Sequence, residues 1–345
     1  MSAQNKRSKI LLIYTGGTIG MVKDYNSGAL KAFDFKKVVN SIPELGQLDC
    51  AIDSVSFKVP IDSSNMNPSH WVTIAGLIER HYDNYDGFVV LHGSDTMSYT
   101  SSALSYMLEN LAKPVIFTGS QLPIGDLRTD AKENLITSIQ IAALKEDGMP
   151  VVREVGLYFE NKLYRANRTT KINAEHFDAF ASLNYPVLAE SGVHLKVYTE
   201  NLWRGRRNKT LKVHKKMDDR VAILKLFPGF NRDLLGGVLG IPHLKALVLE
   251  TYGAGNAPTD QWLLDDLQQA IGGGLYIVNV TQCSGGSVIP GQYETSRELE
   301  RMSMINGRDI TTEAAITKLM YLLGNDVSGK SFSTIFETSI RGEMT

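Results

Sequence analysis

Ile10-Leu11-Leu12-Ile13-Tyr14-Thr15-Gly16-Gly17-Thr18-Ile19-Gly20 joins an unbroken apolar run to a turn with three glycines. Four consecutive apolar residues, Ile10 to Ile13, suit a strand buried on both faces of a parallel sheet. The turn is near the dinucleotide fingerprint G-x-G-x-x-G. Gly17 and Gly20 fit its second and third glycines, but Thr15 stands where the first belongs. No Gly-Lys-Ser/Thr follows, so it is not a phosphate loop either. A hydroxyl is left at the carboxyl end of a strand, the edge where open α/β sheets bind ligands. Read locally, Thr15 is either a turn residue or a functional one.

The same strand-then-polar-turn pattern recurs. Ile52–Val59 alternates apolar and polar residues and runs into Asp62-Ser63-Ser64-Asn65. Asn67 and Pro68 then start a helix to about Tyr82, as N-cap and first helical residue. Gly87–Leu91 ends in His92-Gly93-Ser94-Asp95-Thr96, with a helix from Met97 to Asn110. Pro114–Phe117 ends in Thr118-Gly119-Ser120-Gln121, with a helix over Thr129–Lys145, and Val155–Phe159 is the next strand. Repeated β-α alternation with short connections predicts a doubly wound, mainly parallel sheet. Its strand ends share one rim, which would gather Thr15, Asp62, Ser63, Ser64, Ser94, Asp95 and Ser120.

Met21–Phe33, with Tyr25, reads as a surface loop or a mobile flap, and Phe35–Ile42 as a short helix. After Phe159 the pattern breaks, and Asn161–Lys171 reads as a basic loop. The stretch from Trp203 to Lys216 is basic too, and its natural reading is a solvated linker. Alternation then resumes from Val221, with a last helix expected over Ser333–Ile340. The expected organisation is a larger N-terminal domain, residues 1–200, a linker, 201–219, and a smaller C-terminal α/β domain, 220–345.

Composition narrows the function classes. Lys plus Arg is 36 against 37 Asp plus Glu, so charge does not point to nucleic acid or an anionic membrane surface. Cys50 and Cys283 are the only two cysteines and lie far apart, giving no disulfide framework and no zinc spacing. The seven histidines show no H-x-H or H-E-x-x-H spacing, so no metal site is expected. No apolar run approaches the ~18 residues of a membrane span. A cytoplasmic protein is expected.

Thr15 and Ser94 are hydroxyls at strand ends, and each is a weak nucleophile until a base takes its proton. A Ser-His-Asp triad would use His92 and Asp95. However, the G-x-S-x-G elbow is missing, since His92 and Thr96 occupy its glycine positions. A lysine base is the alternative, and Lys171 sits in an irregular segment from which it could turn back into the crevice. Equally, it reads as one more solvent-exposed lysine. A lysine acts as a base only when neutral, which burial favours and a carboxylate beside it opposes. Asp95 would then have other work, such as binding a substrate ammonium. A two-lobed amino-acid binding module would use the same polar residues without the Thr15–Lys171 chemistry.

Taken together, Tyr14–Met21, Asp62–Met66, His92–Met97, Leu163–Lys171, Tyr252–Pro258, Thr281-Gln282-Cys283 and the Arg341–Thr345 end resemble the cytoplasmic, type I bacterial L-asparaginases, over nearly the whole chain. The resemblance implies hydrolysis of L-asparagine to L-aspartate and ammonia through a β-aspartyl enzyme ester, with no cofactor. It also implies a homodimer or homotetramer. Thr15 matches the nucleophilic threonine, and Ser94, Asp95 and Lys171 match a Thr-Asp-Lys group. Asp62, Ser63 and Ser64 match the segment holding the substrate α-carboxylate, Asp95 the ammonium anchor, and Tyr25 a flap tyrosine. Ser94 departs from the usual threonine. Some members bind a second asparagine allosterically through residues matching Thr170, Cys283 and an arginine, but the arginine position here is Glu250.

Overall fold

Contacts along the chain divide the protein into two units, Met1–Lys215 and Lys216–Thr345. The computed structural model describes residues 7–23, 30–32, 42–204, 209–291 and 294–345. Tyr25 and, apart from Ile42, the helix expected over Phe35–Ile42 lie outside the described residues.

The first unit is built on an eight-stranded sheet. Its strands are β1 (Ser8–Gly16), β2 (Cys50–Ile61), β3 (Gly87–Leu91), β4 (Val115–Thr118), β5 (Val155–Phe159), β6 (Lys162–Arg165), β7 (Ala189–Ser191) and β8 (Leu195–Val197). The spatial order is β8-β7-β6-β5-β4-β3-β1-β2, and the neighbours among β1 to β5 pair in parallel. The apolar run of β1 is buried on alternating faces. Ile10, Leu12 and Tyr14 pack with Leu135 and Ile139 of the helix Ala131–Ala143, while Leu11 and Ile13 are equally buried opposite. Such two-sided burial is what a continuous apolar strand encodes.

The helix Pro68–His81 forms where its signals placed it. Asn67 Oδ1 accepts the Ser69 N–H at 3.0 Å, and Trp71, Ile74, Ala75 and Ile78 turn one face inward at i, i+3, i+4 and i+7. Trp71 Nε1 donates to Thr100 Oγ1 at 3.1 Å, tying it to the helix Met97–Met107. That second helix stops before the expected Asn110. Leu108–Glu109 instead pairs antiparallel with Lys212–Val213, so part of the stretch read as a linker is sheet.

Asn161–Lys171 is also not all loop. β5 turns directly into β6, an antiparallel hairpin in which Phe159 pairs Lys162. Its two turn residues, Glu160 and Asn161, have φ of 45° and 65°, the left-handed backbone a two-residue hairpin requires. No Asn-Gly or Asp-Gly pair marks that turn, which is why the hairpin is invisible in sequence.

The second unit holds a four-stranded parallel sheet, Val221–Lys225, Ala246–Thr251, Tyr276–Thr281 and Ile305–Asn306. Helices Arg232–Leu239 and Gln261–Gly272 pack their apolar residues with it, Leu235, Leu263 and Leu267 against Leu247 and Leu249. The last helix is Lys330–Phe336 rather than Ser333–Ile340. The residues after it are held instead by the buried Lys318, whose Nζ donates to the carbonyls of Phe336 and Thr338 and to the Glu343 carboxylate.

Candidate active site

Chain order in the first sheet reverses at β1, with β2 on one side and β3 on the other. Outside the carboxyl ends of strands at such a switch point the connections part and leave a crevice. Thr15 is the last residue but one of β1, and His92 to Asp95 follow β3. Gly16 pairs with Ile61 at the end of β2, so Asp62–Ser64 emerges beside the Thr15 turn.

These turns approach one another closely at two glycines. Gly17 has φ of 85°, and a Cβ there would lie 2.5 Å from Gly93 N. A Cβ on Gly93 would lie 2.5 Å from Ser63 Oγ. Two glycines therefore let the Thr15, Ser63 and Ser94 segments close on one another.

Thr15 is buried, and its Oγ1 donates to Leu91 O on β3 at 2.9 Å. Asp62 faces its own turn: Oδ1 accepts from Ser64 N at 2.9 Å and from Ser64 Oγ at 2.8 Å. The Ser64 backbone bond first, and its hydroxyl second, hold the Asp62 carboxyl below the usual carboxylate range. Thr96 Oγ1 donates to Ser63 O at 2.8 Å, fixing the same turn from the β3 side. Ser63 is buried and Ser64 exposed.

Lys171 does turn back toward the strand ends. Its Nζ donates to Ser94 Oγ at 2.9 Å and to Asp95 Oδ1 at 2.7 Å. The lysine side chain is 18% exposed and that of Asp95 64%, so the pair has a sheltered end and an open end. A turn at Ala166–Arg168 and the pairing of Thr170–Lys171 with Phe180–Ala181 deliver the lysine. Behind it, Arg165 Nε donates to Glu154 Oε2 at 2.7 Å, with the guanidinium 4.2 Å from the Tyr185 ring centre. The four residues form two hydrogen-bonded sets, Thr15 with Leu91 and Lys171 with Ser94 and Asp95. No hydrogen bond joins Thr15 directly to the other three. Both sets stand on the end of β3.

His92 does not complete a triad. It is fully buried, its Nδ1 lies 2.7 Å from Gly93 O, and its ring faces Phe117. Burial pushes its pKa down to about 4. Gln121, absent from the sequence-derived set, contacts Ser94 Oγ through Oε1 at 3.4 Å. The only sequence signal for it was its place in a polar turn after a strand. Thr170 lies in the first unit, and Cys283 and Glu250 in the second. Glu250 Oε1 accepts from Thr312 Oγ1 at 2.6 Å, and Lys225 Nζ lies 3.9 Å from Oε2. Among the described residues, no group of three or more His, Cys, Asp or Glu is placed to hold a metal ion.

Residues 9–203 match the family described as Asparaginase, N-terminal, and residues 220–336 the Glutaminase/Asparaginase C-terminal domain. The chain belongs to the asparaginase family. This asparaginase-family protein is 41% identical over 342 residues to L-asparaginase 1 of Escherichia coli (strain K12), covering 99% of each chain. It is 38% identical over 365 residues to a 60 kDa lysophospholipase of Mus musculus, covering 99% of this chain and 64% of that one. The solved structure of L-asparaginase I from Vibrio cholerae superposes with a TM-score of 0.90 at 39% identity, covering 98% of this chain and 99% of that one.

Proposed function

We propose that this protein hydrolyses L-asparagine to L-aspartate and ammonia, with Thr15 as nucleophile. The observation that carries this reading is the Lys171–Ser94–Asp95 contact at the switch point of an asparaginase-family fold. Thr15 Oγ1 adds to the side-chain amide carbon, and the C–N bond breaks. The threonine proton ends on the departing ammonia, leaving a β-aspartyl ester. Water then adds to the ester, the bond from carbon to Thr15 Oγ1 breaks, and the threonine regains a proton. Ser94 and Lys171 move those protons. Only acyl and proton transfers are involved, and these side chains supply them.

Asp95 has a second task. Its exposed carboxylate suits the substrate α-ammonium, and an ammonium bound there competes with Lys171 for it. Losing that carboxylate leaves Lys171 Nζ its contact with Ser94 Oγ. The α-carboxylate would sit on Ser63 and Ser64, whose turn Asp62 caps. Residues 201–219 carry the chain from the catalytic to the C-terminal domain, with Lys212–Val213 paired to Leu108–Glu109 on the way. The protein acts in the cytoplasm as a homodimer or homotetramer, an assembly that light scattering in solution measures.

Ammonia release from L-asparagine tests the reading. Thr15→Val, which keeps the shape and removes the hydroxyl, should lower kcat by about a thousandfold or more without changing the melting temperature greatly. Full activity in that variant would falsify the nucleophile assignment. Tight asparagine binding by the parent with no ammonia would favour a binding module instead.

A further inference from the structure

Serine carries a single heavy branch on Cβ, so its hydroxyl has three staggered wells open to it. A second branch would narrow that choice, and Ser94 has none. Lys171 does not make that choice alone, because its Nζ is shared with the Asp95 carboxylate at 2.7 Å. Something else must select the rotamer that places Ser94 Oγ against Lys171 Nζ.

Gln121 is built to do so. Its carboxamide Nε2 donates to His176 O at 2.9 Å and to Ala174 O at 3.4 Å, which commits its N–H groups to backbone carbonyls. Turning the carboxamide over would face its oxygen to those carbonyls, so Oε1 is left toward Ser94. The main chain is pinned as well, since Gln121 N donates to the Asp130 carboxylate at 3.0 Å and 3.2 Å. From this fixed position Oε1 is the acceptor for the Ser94 hydroxyl at 3.4 Å, a long bond, while the serine oxygen accepts from Lys171 at 2.9 Å.

We propose that Gln121 is a positioning residue for Ser94, whose carboxamide oxygen holds the serine hydroxyl in the rotamer that meets Lys171. The proposal rests on the reading above in which Ser94 and Lys171 serve the reaction. Gln121 acts through Ser94 and does not itself touch the reacting atoms.

The test is a double-mutant cycle on L-asparagine hydrolysis, with Ser94→Ala measured beside it and a melting temperature for every variant. Gln121→Met keeps the length of the side chain and removes the acceptor; Gln121→Ala is made as well in case the thioether disturbs folding. Either should lower kcat about tenfold in the parent while KM moves less than about twofold. In a Ser94→Thr background, where the β-methyl restricts the rotamer, the same change should cost no more than about twofold. Equal losses in both backgrounds would overturn the proposal, because a role confined to holding Ala174 and His176 is not rescued at position 94. So would a parental kcat in folded Gln121→Met. If Ser94→Ala loses activity while Gln121→Met keeps it, the Gln121 proposal falls alone. If Ser94→Ala keeps full activity, the role of Ser94 falls and the proposal with it.

Discussion

His92 stands directly behind Ser94, and its environment makes a measurable statement about stability. An imidazole in the unfolded chain takes its proton near 6.5, whereas the buried ring does so only at about 4. The folded value is the lower one, so the stabilisation is complete above pH 6.5 and is lost as pH falls toward 4. A shift of this size corresponds to something on the order of 3 kcal/mol for a fully buried group. Urea unfolding between pH 7 and pH 4.5 should therefore show a steeper loss for the parent than for His92→Gln. Parallel pH curves for the two proteins would remove His92 as the cause. The same residue illustrates a general limit on motif reading. His92 and Ser94 are two positions apart, yet one points into the core against Phe117 and the other meets Lys171.

Among the elements, the turns carry more of the site than the strands do. β1, β2 and β3 bring their ends to one rim, but what closes the rim is the backbone of Gly17 lying on that of Gly93, and Gly93 lying against the Ser63 side chain. Gly17→Ala adds a methyl 2.5 Å from Gly93 N in a left-handed backbone conformation. Strain and clash act together there, so the variant should lose about 2 kcal/mol or more of stability. It should also lose at least about tenfold in kcat, because a displacement of one ångström at a catalytic group costs rate steeply. Melting temperature and ammonia release measure the two effects. A variant with parental values in both would mean that the turns have room to separate.

For the whole molecule, the question raised by Glu250 is whether a second asparagine regulates the first. The family resemblance implies an arginine to pair with a second α-carboxylate, and the position it would take holds Glu250, which carries the same sign of charge as that ligand group. The Glu250 carboxylate is already engaged by Thr312, with Lys225 nearby. Bringing another carboxylate to it costs repulsion as well as a hydrogen bond. Substrate titration should thus follow a hyperbola with a Hill coefficient of about 1, since a coupling free energy requires differential binding at two sites. A sigmoidal curve would show that another cation has taken the arginine's place.

The sequence alone determined the core of the first unit. Ile10–Ile13 and Gly87–Leu91 are continuous apolar runs because both faces of their strands are covered, and Asn67-Pro68 starts a helix by local hydrogen bonding and a preset φ. Such local causes act within a few residues and are legible one stretch at a time. The polar turns after β1, β2 and β3 were legible for the same reason, which is why Thr15, Ser63 and Ser94 were singled out. Only the tertiary structure decided their partners. Lys171 meets Ser94 from 77 residues away, and Gln121 from 27. The β5–β6 hairpin rests on left-handed Glu160 and Asn161, residues with no glycine to announce them. Long-range partners are chosen by how strands order in a sheet and by which carbonyls are left to pair. Neither quantity belongs to any one stretch of the chain.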